Sequence, residues 1–273
     1  MRVFNELLGH AFDLSVPPRR VVSLLASATE TIERIDQPET IIGVSPYCGR
    51  YTRRVHAPVV GDYIAADEAR VAALNPDLIL VTTGIQRDLG LRLAEAGLPV
   101  YALPLPASFS GILENILTVA ALMDDIGAGH RLREELRERM GIVRRGALKR
   151  PKKRTYIELW LGRHMRTVGG RSFVHDLVET AGAAPLFGDS SAGYFQPDFD
   201  AVEGLGPERV VFFQEPEFPV DFRAECAKRE WDRISELPLI SSTVKTGQNV
   251  IHEGPSFVDS AEWLQAEFQA LDG

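Results

Sequence analysis

Residues 127–149 run without a proline, and Leu132, Leu136, Met140, Val143 and Ala147 recur at three- and four-residue intervals. That spacing lines one face of a helix with apolar groups. At about 1.5 Å per residue the segment reaches roughly 35 Å, the diameter of a small domain. Pro151 stops it. Gly141 and Gly146 weaken its far end, each by about 1 kcal/mol relative to alanine. A stiff rod in the middle of 273 residues divides the chain into two halves. The expected organisation is therefore an N-terminal lobe over 1–126, a connecting helix over 127–150 and a C-terminal lobe over 151–273.

On both sides of the rod, short apolar runs alternate with helical segments, the pattern of parallel strands covered by helices on both faces. Strands are expected at 21–25, 41–44, 78–82 and 100–103, then at 155–161, 210–213 and 250–252. Helices are expected at 30–35, 68–74 and 87–96, then at 173–181, around 231–237 and at 260–271. NPDLILVTT and GPERVVFFQ each set a proline shortly before an apolar run, one in each half. The fold class is α/β, with two Rossmann-like lobes, central mostly parallel sheets and one long backbone helix joining them.

A hydrophobic content of 45% is enough for a sizeable core. The net charge of -8 argues against a nucleic-acid surface, which needs a concentrated excess of Lys and Arg. The one basic run, 144–154, reads as a solvated helix end. No stretch approaches the roughly 20 apolar residues needed to span a bilayer. The opening MRVFNELLGHAFDLSVPPRR has no apolar h-region of about 7 to 15 residues, so it does not read as a secretory signal. The expectation is a soluble chain that is either cytoplasmic or a mature form whose leader is replaced by Met1. Cys48 and Cys226 are too far apart in sequence to suggest a disulfide framework, and two free thiols suit a reducing compartment. The histidines (His10, His56, His130, His164, His175 and His252) show no paired spacing and no carboxylate cluster, so no metal site is expected.

Open α/β sheets bind ligands beyond the carboxyl ends of their strands. In RRVVSLLASATETI, Ser27 stands three residues before Glu30 and fits a capping box, and its position would also lend floor to a site. The other strand ends offer Tyr47, Tyr63, Thr83 and Gly84 in the first half. In the second they offer Trp160, Tyr194 and Phe195, the last two in the turn-rich GDSSAGYFQPD, then His252 and Glu253 after the last strand. Facing strand ends would form a cleft walled by Tyr47, Tyr63, Trp160, Tyr194 and Phe195. Such a wall suits a large, flat or greasy ligand, because aromatic rings bury much area at little rotamer cost. His252, expected to be exposed, would serve as an axial contact or hydrogen-bond donor. No catalytic residues are expected: there is no G-x-S-x-G, Walker loop or G-x-G-x-x-G at a strand-to-helix turn. The rival reading, an α/β enzyme using His175, Asp176, Glu215 or Glu253, lacks a nucleophile oriented by a third group. His175 and Asp176 lie early in a helix, where an acid favours the dipole.

PPRRVVSLLASATETI, IIGVSPYC, PVVGDY, LNPDLILVTTG, GLPVYAL, VGGRSFVHDLVETAGA, GYFQPDFDAV and WDRISELPLISSTVKTGQNVI succeed one another in this order. With them the chain resembles the class III periplasmic substrate-binding proteins, in particular the cobalamin-binding branch of the helical-backbone metal receptors. The resemblance implies two α/β lobes joined by a long helix that permits only small closure. A cobalamin-type corrinoid would be captured as cargo for delivery to an ABC importer, with no cofactor. An iron-siderophore or haem receptor is the alternative within the fold, and a cytoplasmic corrinoid carrier or sensor would share the pocket without a transporter. The resemblance places the ligand wall at Tyr47, Tyr63, Trp160 and Tyr194, with turns at Thr83–Gly84 and His252–Glu253. Where cobalamin binders often carry tryptophan, this chain has Tyr63 and Thr82–Thr83. Family members dock on the transporter through one acid per lobe. The matching positions are Ala69, with Glu68 displaced by one residue, and Asp200. Implied partners are the small ligand and the importer's permease, with no nucleic acid and a monomeric chain. By resemblance the location is periplasmic or extracytoplasmic, with cytoplasmic as the alternative.

Overall fold

Strands that are apolar at every position, instead of every second one, require a sheet covered on both faces. The computed structural model describes residues 1–62, 64–215, 218–242 and 252–272. It meets that requirement in each of two units. The first comprises Met1–Pro106, Ser110–Leu136 and Glu253–Pro255, and the second Ala107–Phe109, Arg137–His252 and Ser256–Gly273.

The first unit opens with an antiparallel hairpin of β1 (Arg2–Asn5) and β2 (His10–Asp13). There follow β3 (Val21–Ser23), α1 (Ala26–Arg34), β4 (Ile41–Val44), α2 (Glu68–Ala73), β5 (Leu78–Thr82), α3 (Arg87–Glu95), β6 (Val100–Leu103) and α4 (Phe109–Leu122). The four later strands are parallel in the order β4-β3-β5-β6, and every residue of β5 is buried. Val22, Leu24, Val71, Ile79, Val81, Leu93 and Val100 form the core on one side of this sheet.

Helix α5 (Ile126–Ala147) realises the expected rod, and Leu132, Leu136, Met140, Val143 and Ala147 are all buried. The division between the units falls within it, after Leu136. Gly146 has a packing role: a Cβ there would lie 2.9 Å from the Gln265 amide nitrogen, which donates to the Val143 carbonyl.

The second unit continues with β7 (Arg154–Leu161), β8 (His164–Val168), α6 (Phe173–Thr180), β9 (Ala184–Pro185), β10 (Tyr194–Phe195), α7 (Phe199–Val202), β11 (Arg209–Gln214), α8 (Phe222–Lys228), α9 (Asp232–Ser235), β12 (Leu239–Ser241) and α10 (Phe257–Asp272). Among the described residues the sheet order is β10-β8-β7-β11-β12, with β9 also beside β7. Strands β7, β11 and β12 are parallel, while β8 runs antiparallel to β7 and to β10.

Several boundaries differ from the sequence reading. Helix α1 starts at Ala26, capped by an extended Leu25 with no side-chain cap bond, so Ser27 lies in the first turn and forms no capping box. The cause is Thr29, whose N–H already bonds the Leu25 carbonyl at 3.0 Å. Tyr194 and Phe195 form an edge strand where a turn was expected, because β8 offers them the backbone of Val168 and Thr167. The β7–β8 hairpin turns at Gly162, whose φ of +61° favours glycine. Helix α8, capped by the Asp221 carboxylate, was unforeseen. Of the expected strand 250–252, residues 250 and 251 lie outside the described residues, and His252 is not in a strand.

The C-terminal helix is fastened by charge. Arg209 is buried, its guanidinium lies 4.6 Å over the Phe268 ring, and its Nη2 donates to both Asp272 oxygens at 3.2 and 3.3 Å. Lys153 Nζ is 2.7 Å from the same carboxylate. Burial pushes the Asp272 carboxyl up, but Lys153 and Arg209 prevail and hold it below the usual carboxylate range. Its contribution to stability is therefore complete above about pH 4 and is lost as pH falls through the lower folded value. Asp272→Asn would leave Arg209 charged and buried, so urea denaturation at neutral pH is expected to show a loss of about 3 kcal/mol. The difference from the parent chain should narrow as pH falls through the lowered folded value of Asp272.

Candidate functional site

At the carboxyl end of the first sheet, polar side chains fasten the strand ends. The Thr29 hydroxyl lies 2.8 Å from Ser23 Oγ, 3.0 Å from the Leu25 carbonyl and 3.0 Å from Cys48 Sγ. Ser45 Oγ is 3.2 Å from the same sulfur. This buried group ties the end of β3 to the turn after β4. Burial is also the main reason the Cys48 thiol is pushed up, so it stays protonated. Gln86, fully buried, donates from Nε2 to the Leu24 carbonyl at 3.0 Å and accepts the Thr82 N–H at 3.0 Å, stapling β3 to β5. The Thr83 N–H donates to the Leu103 carbonyl at 2.8 Å, and its hydroxyl oxygen accepts from the Leu105 N–H at 3.0 Å. Thr83 thus shapes the loop that carries half-buried Gly84.

These staples leave apolar side chains outside. Ile85 is 68% exposed and Leu105 42%, each just beyond a strand end. Ile64 is 62% exposed, on a turn whose Asp62 carboxylate accepts the N–H groups of Ile64 and Ala65 at 2.8 and 2.7 Å. Tyr63, between them, lies outside the described residues. Tyr47 is half-buried, with the Arg50 guanidinium 4.8 Å over its ring. Burial pushes the neighbouring Tyr51 hydroxyl well above its ordinary value, Arg50 opposes this, and buried Glu253 and Glu30 add to it.

In the second unit, alternation along β7 puts Tyr156, Glu158 and Trp160 on one side of the strand. Glu158 is 0% exposed and accepts from the Tyr156 hydroxyl at 3.0 Å and the Trp160 indole at 2.8 Å. It also accepts from Arg229 Nη1 and Nη2 at 2.7 and 3.2 Å. Arg229 lies 4.5 Å over the Phe199 ring and 4.8 Å over that of Trp231. Burial would lower the Arg229 pKa, yet Glu158 raises it further, so the guanidinium keeps its charge. Burial also pushes the Cys226 thiol up to about 11. Trp160 is half-buried at the strand end, as are Tyr194 and Phe195 on β10, where Phe195 meets Phe187 edge-on at 5.3 Å. Leu161, 36% exposed, is the last residue of β7, and Phe218, 42% exposed, follows the end of β11.

The expected residues divide between the units. Ser27, Tyr47, Thr83, Gly84 and Glu253 belong to the first, and Trp160, Tyr194, Phe195 and His252 to the second. His252 is only 3% exposed, which corrects the expectation of an exposed histidine. Glu68 accepts from Arg92 Nε at 3.0 Å, and Asp200 is exposed in the first turn of α7. Glu215 accepts the Gly162 N–H at 2.9 Å, and Asp176 accepts the Phe109 N–H at 2.6 Å, which are turn and helix-end roles. Among the described residues no group of His, Cys, Asp or Glu could hold a metal ion. The sequence reading missed the Arg50–Tyr51 pair, the Glu158–Arg229 pair and the exposed apolar rim. The signal available was Glu158 itself, a carboxylate in the middle of the apolar run YIELWL.

Residues 21–236 match the periplasmic binding protein family. The chain belongs to that family. It is 25% identical over 206 residues to a cobalamin-binding protein of Halobacterium salinarum, covering 74% of this chain and 55% of that one. The chain thus spans about half the length of that relative. It is 25% identical over 194 residues to a vitamin B12-binding protein of Yersinia pestis, covering 70% and 68%. Its fold matches that of S. aureus IsdE complexed with heme with a TM-score of 0.80 at 15% identity, over 91% of this chain and 98% of that one. No helix of the described residues is long and apolar enough to cross a membrane.

Gln86→Ala would orphan the Thr82 N–H and the Leu24 carbonyl, and chemical denaturation is expected to show a loss of about 2 kcal/mol. With both thiols buried, Ellman's reagent should label Cys48 and Cys226 only as fast as the chain unfolds.

Proposed function

We propose that this periplasmic binding protein captures a cobalamin-type corrinoid on the strand-end surfaces of its units and delivers it to an ABC importer. The observation that carries the reading is the pairing of fixed rings with exposed apolar side chains at strand carboxyl ends. Tyr47 is accompanied by Ile64, Ile85 and Leu105 in the first unit, and Trp160 by Leu161 and Phe218 in the second. Exposed apolar groups concentrated where an open α/β sheet takes its ligands mark a binding surface. The charged groups beside the rings are already engaged with one another, so the surface suits a broad ligand held by area. The names of the two sequence relatives favour a corrinoid among such ligands.

In this reading Tyr47, Tyr63, Thr83, Gly84, Trp160, Tyr194 and Phe195 meet the ligand. Ser27, His252 and Glu253, which are buried, support them from behind. Glu68 and Asp200 are the acids offered to the transporter. Haem is the second reading, since a fold neighbour was solved with it.

Titration with cyanocobalamin, followed by calorimetry and the visible spectrum, is expected to give saturable one-to-one binding in the nanomolar to micromolar range. Trp160→Ala should weaken it by about 1 to 3 kcal/mol. Saturable binding of haemin with none of cyanocobalamin would overturn the corrinoid assignment and leave a receptor for another flat macrocycle.

A further inference from the structure

We infer that Glu158 and Arg229 form a positioning pair for Trp160, which consumes the single N–H of that indole within the protein and leaves the ring to meet its ligand as apolar surface alone. This rests on the ligand-binding reading of Trp160 given above.

Tryptophan has one hydrogen-bond donor and no acceptor. At Trp160 that donor is spent on a carboxylate at 2.8 Å, a charge-assisted bond to a fully buried partner. Glu158 is in turn held by Tyr156 and by two Arg229 nitrogens, and Arg229 by the faces of Phe199 and Trp231. The backbone at Trp160 is fixed as well, flanked in register by Gln214 of β11 and Met165 of β8. The remaining freedom is the torsion of the indole, and the bond to Glu158 removes it.

Stability does not account for this arrangement. A buried ion pair is often no better than apolar side chains of the same volume, because the desolvation of both charges consumes the attraction between them. Orientation does account for it. A half-buried indole on apolar packing alone could rotate and turn its N–H outward, towards a polar group of the ligand. Anchored, it selects a ligand that presents a flat apolar face at this point and tolerates change in that ligand's polar substituents.

The test uses the full chain and cyanocobalamin. Tyr156→Phe, Glu158→Leu and Arg229→Met are introduced together, so that no charge or hydroxyl is left alone in the core, both in the parent chain and in Trp160→Phe. In the parent background the triple change is expected to keep the thermal midpoint within about 5 °C and to weaken cyanocobalamin about tenfold. In Trp160→Phe, which has no N–H to anchor, it should alter the Kd by less than about twofold. Equal losses in both backgrounds, or no loss in either, would overturn the inference.

The unaltered protein gives an independent measurement, which also serves if the triple variant does not fold. The Trp160 indole N–H, assigned by its absence from Trp160→Phe, should be protected from hydrogen exchange without ligand and keep its chemical shift when cyanocobalamin is added. Fast exchange, or a new hydrogen-bond shift on adding ligand, would sink the proposal. A parent chain that binds no cyanocobalamin while its indole N–H is protected would overturn the corrinoid reading and support the anchoring.

Discussion

A parallel strand that ends inside a protein leaves backbone groups that no neighbouring strand pairs, and each must find a partner or cost free energy. Much of the first unit's strand-end surface answers this one constraint. Gln86 joins the ends of β3 and β5 with a single amide, Thr83 joins β5 to β6, and Thr29 binds the start of α1 to the turn after β4. With the polar work done underneath by short side chains, the loop tips are free to carry isoleucine and leucine into solvent. The exposed apolar rim is thus a result of how the strand ends are satisfied.

Charge follows the same logic deeper down. Glu158 and Arg229 are buried on opposite elements and saturate each other, with tyrosine, tryptophan and phenylalanine rings closing the sides. Arg209 and Asp272 are joined at the foot of β11 through Arg209 Nη2 alone, and the buried Nε and Nη1 find no hydrogen-bond partner among the described residues. The two pairs differ in depth: Glu158 is fully buried, whereas Asp272 keeps 15% of its side chain exposed.

The α/β class, most of the elements and α5 were legible in the sequence because they rest on periodicity, which is local. The parallel strands announced themselves as continuous apolar runs, and the face of α5 as a three-four repeat. The illegible part rests on pairing at a distance. Ser27 looked like a helix cap because the pattern Ser-x-x-Glu is local, whereas α1 already starts at Ala26 with the Thr29 N–H on the Leu25 carbonyl, and the Thr29 hydroxyl is engaged with Ser23 and Cys48 of other elements. Tyr194 and Phe195 looked like turn residues because their partner strand β8 was hidden behind the Gly162 hairpin. The wall residues were named from their positions at strand ends, but Glu158, which holds Trp160, is itself held by Arg229, 71 residues along the chain.

The two cysteines carry a last consequence. Their number and reduced state suggested a reducing compartment, yet both are buried in separate units and serve as small packing groups. Each thiol is shielded by the packing of its own unit, so an oxidant in the solvent reaches it only when that unit opens.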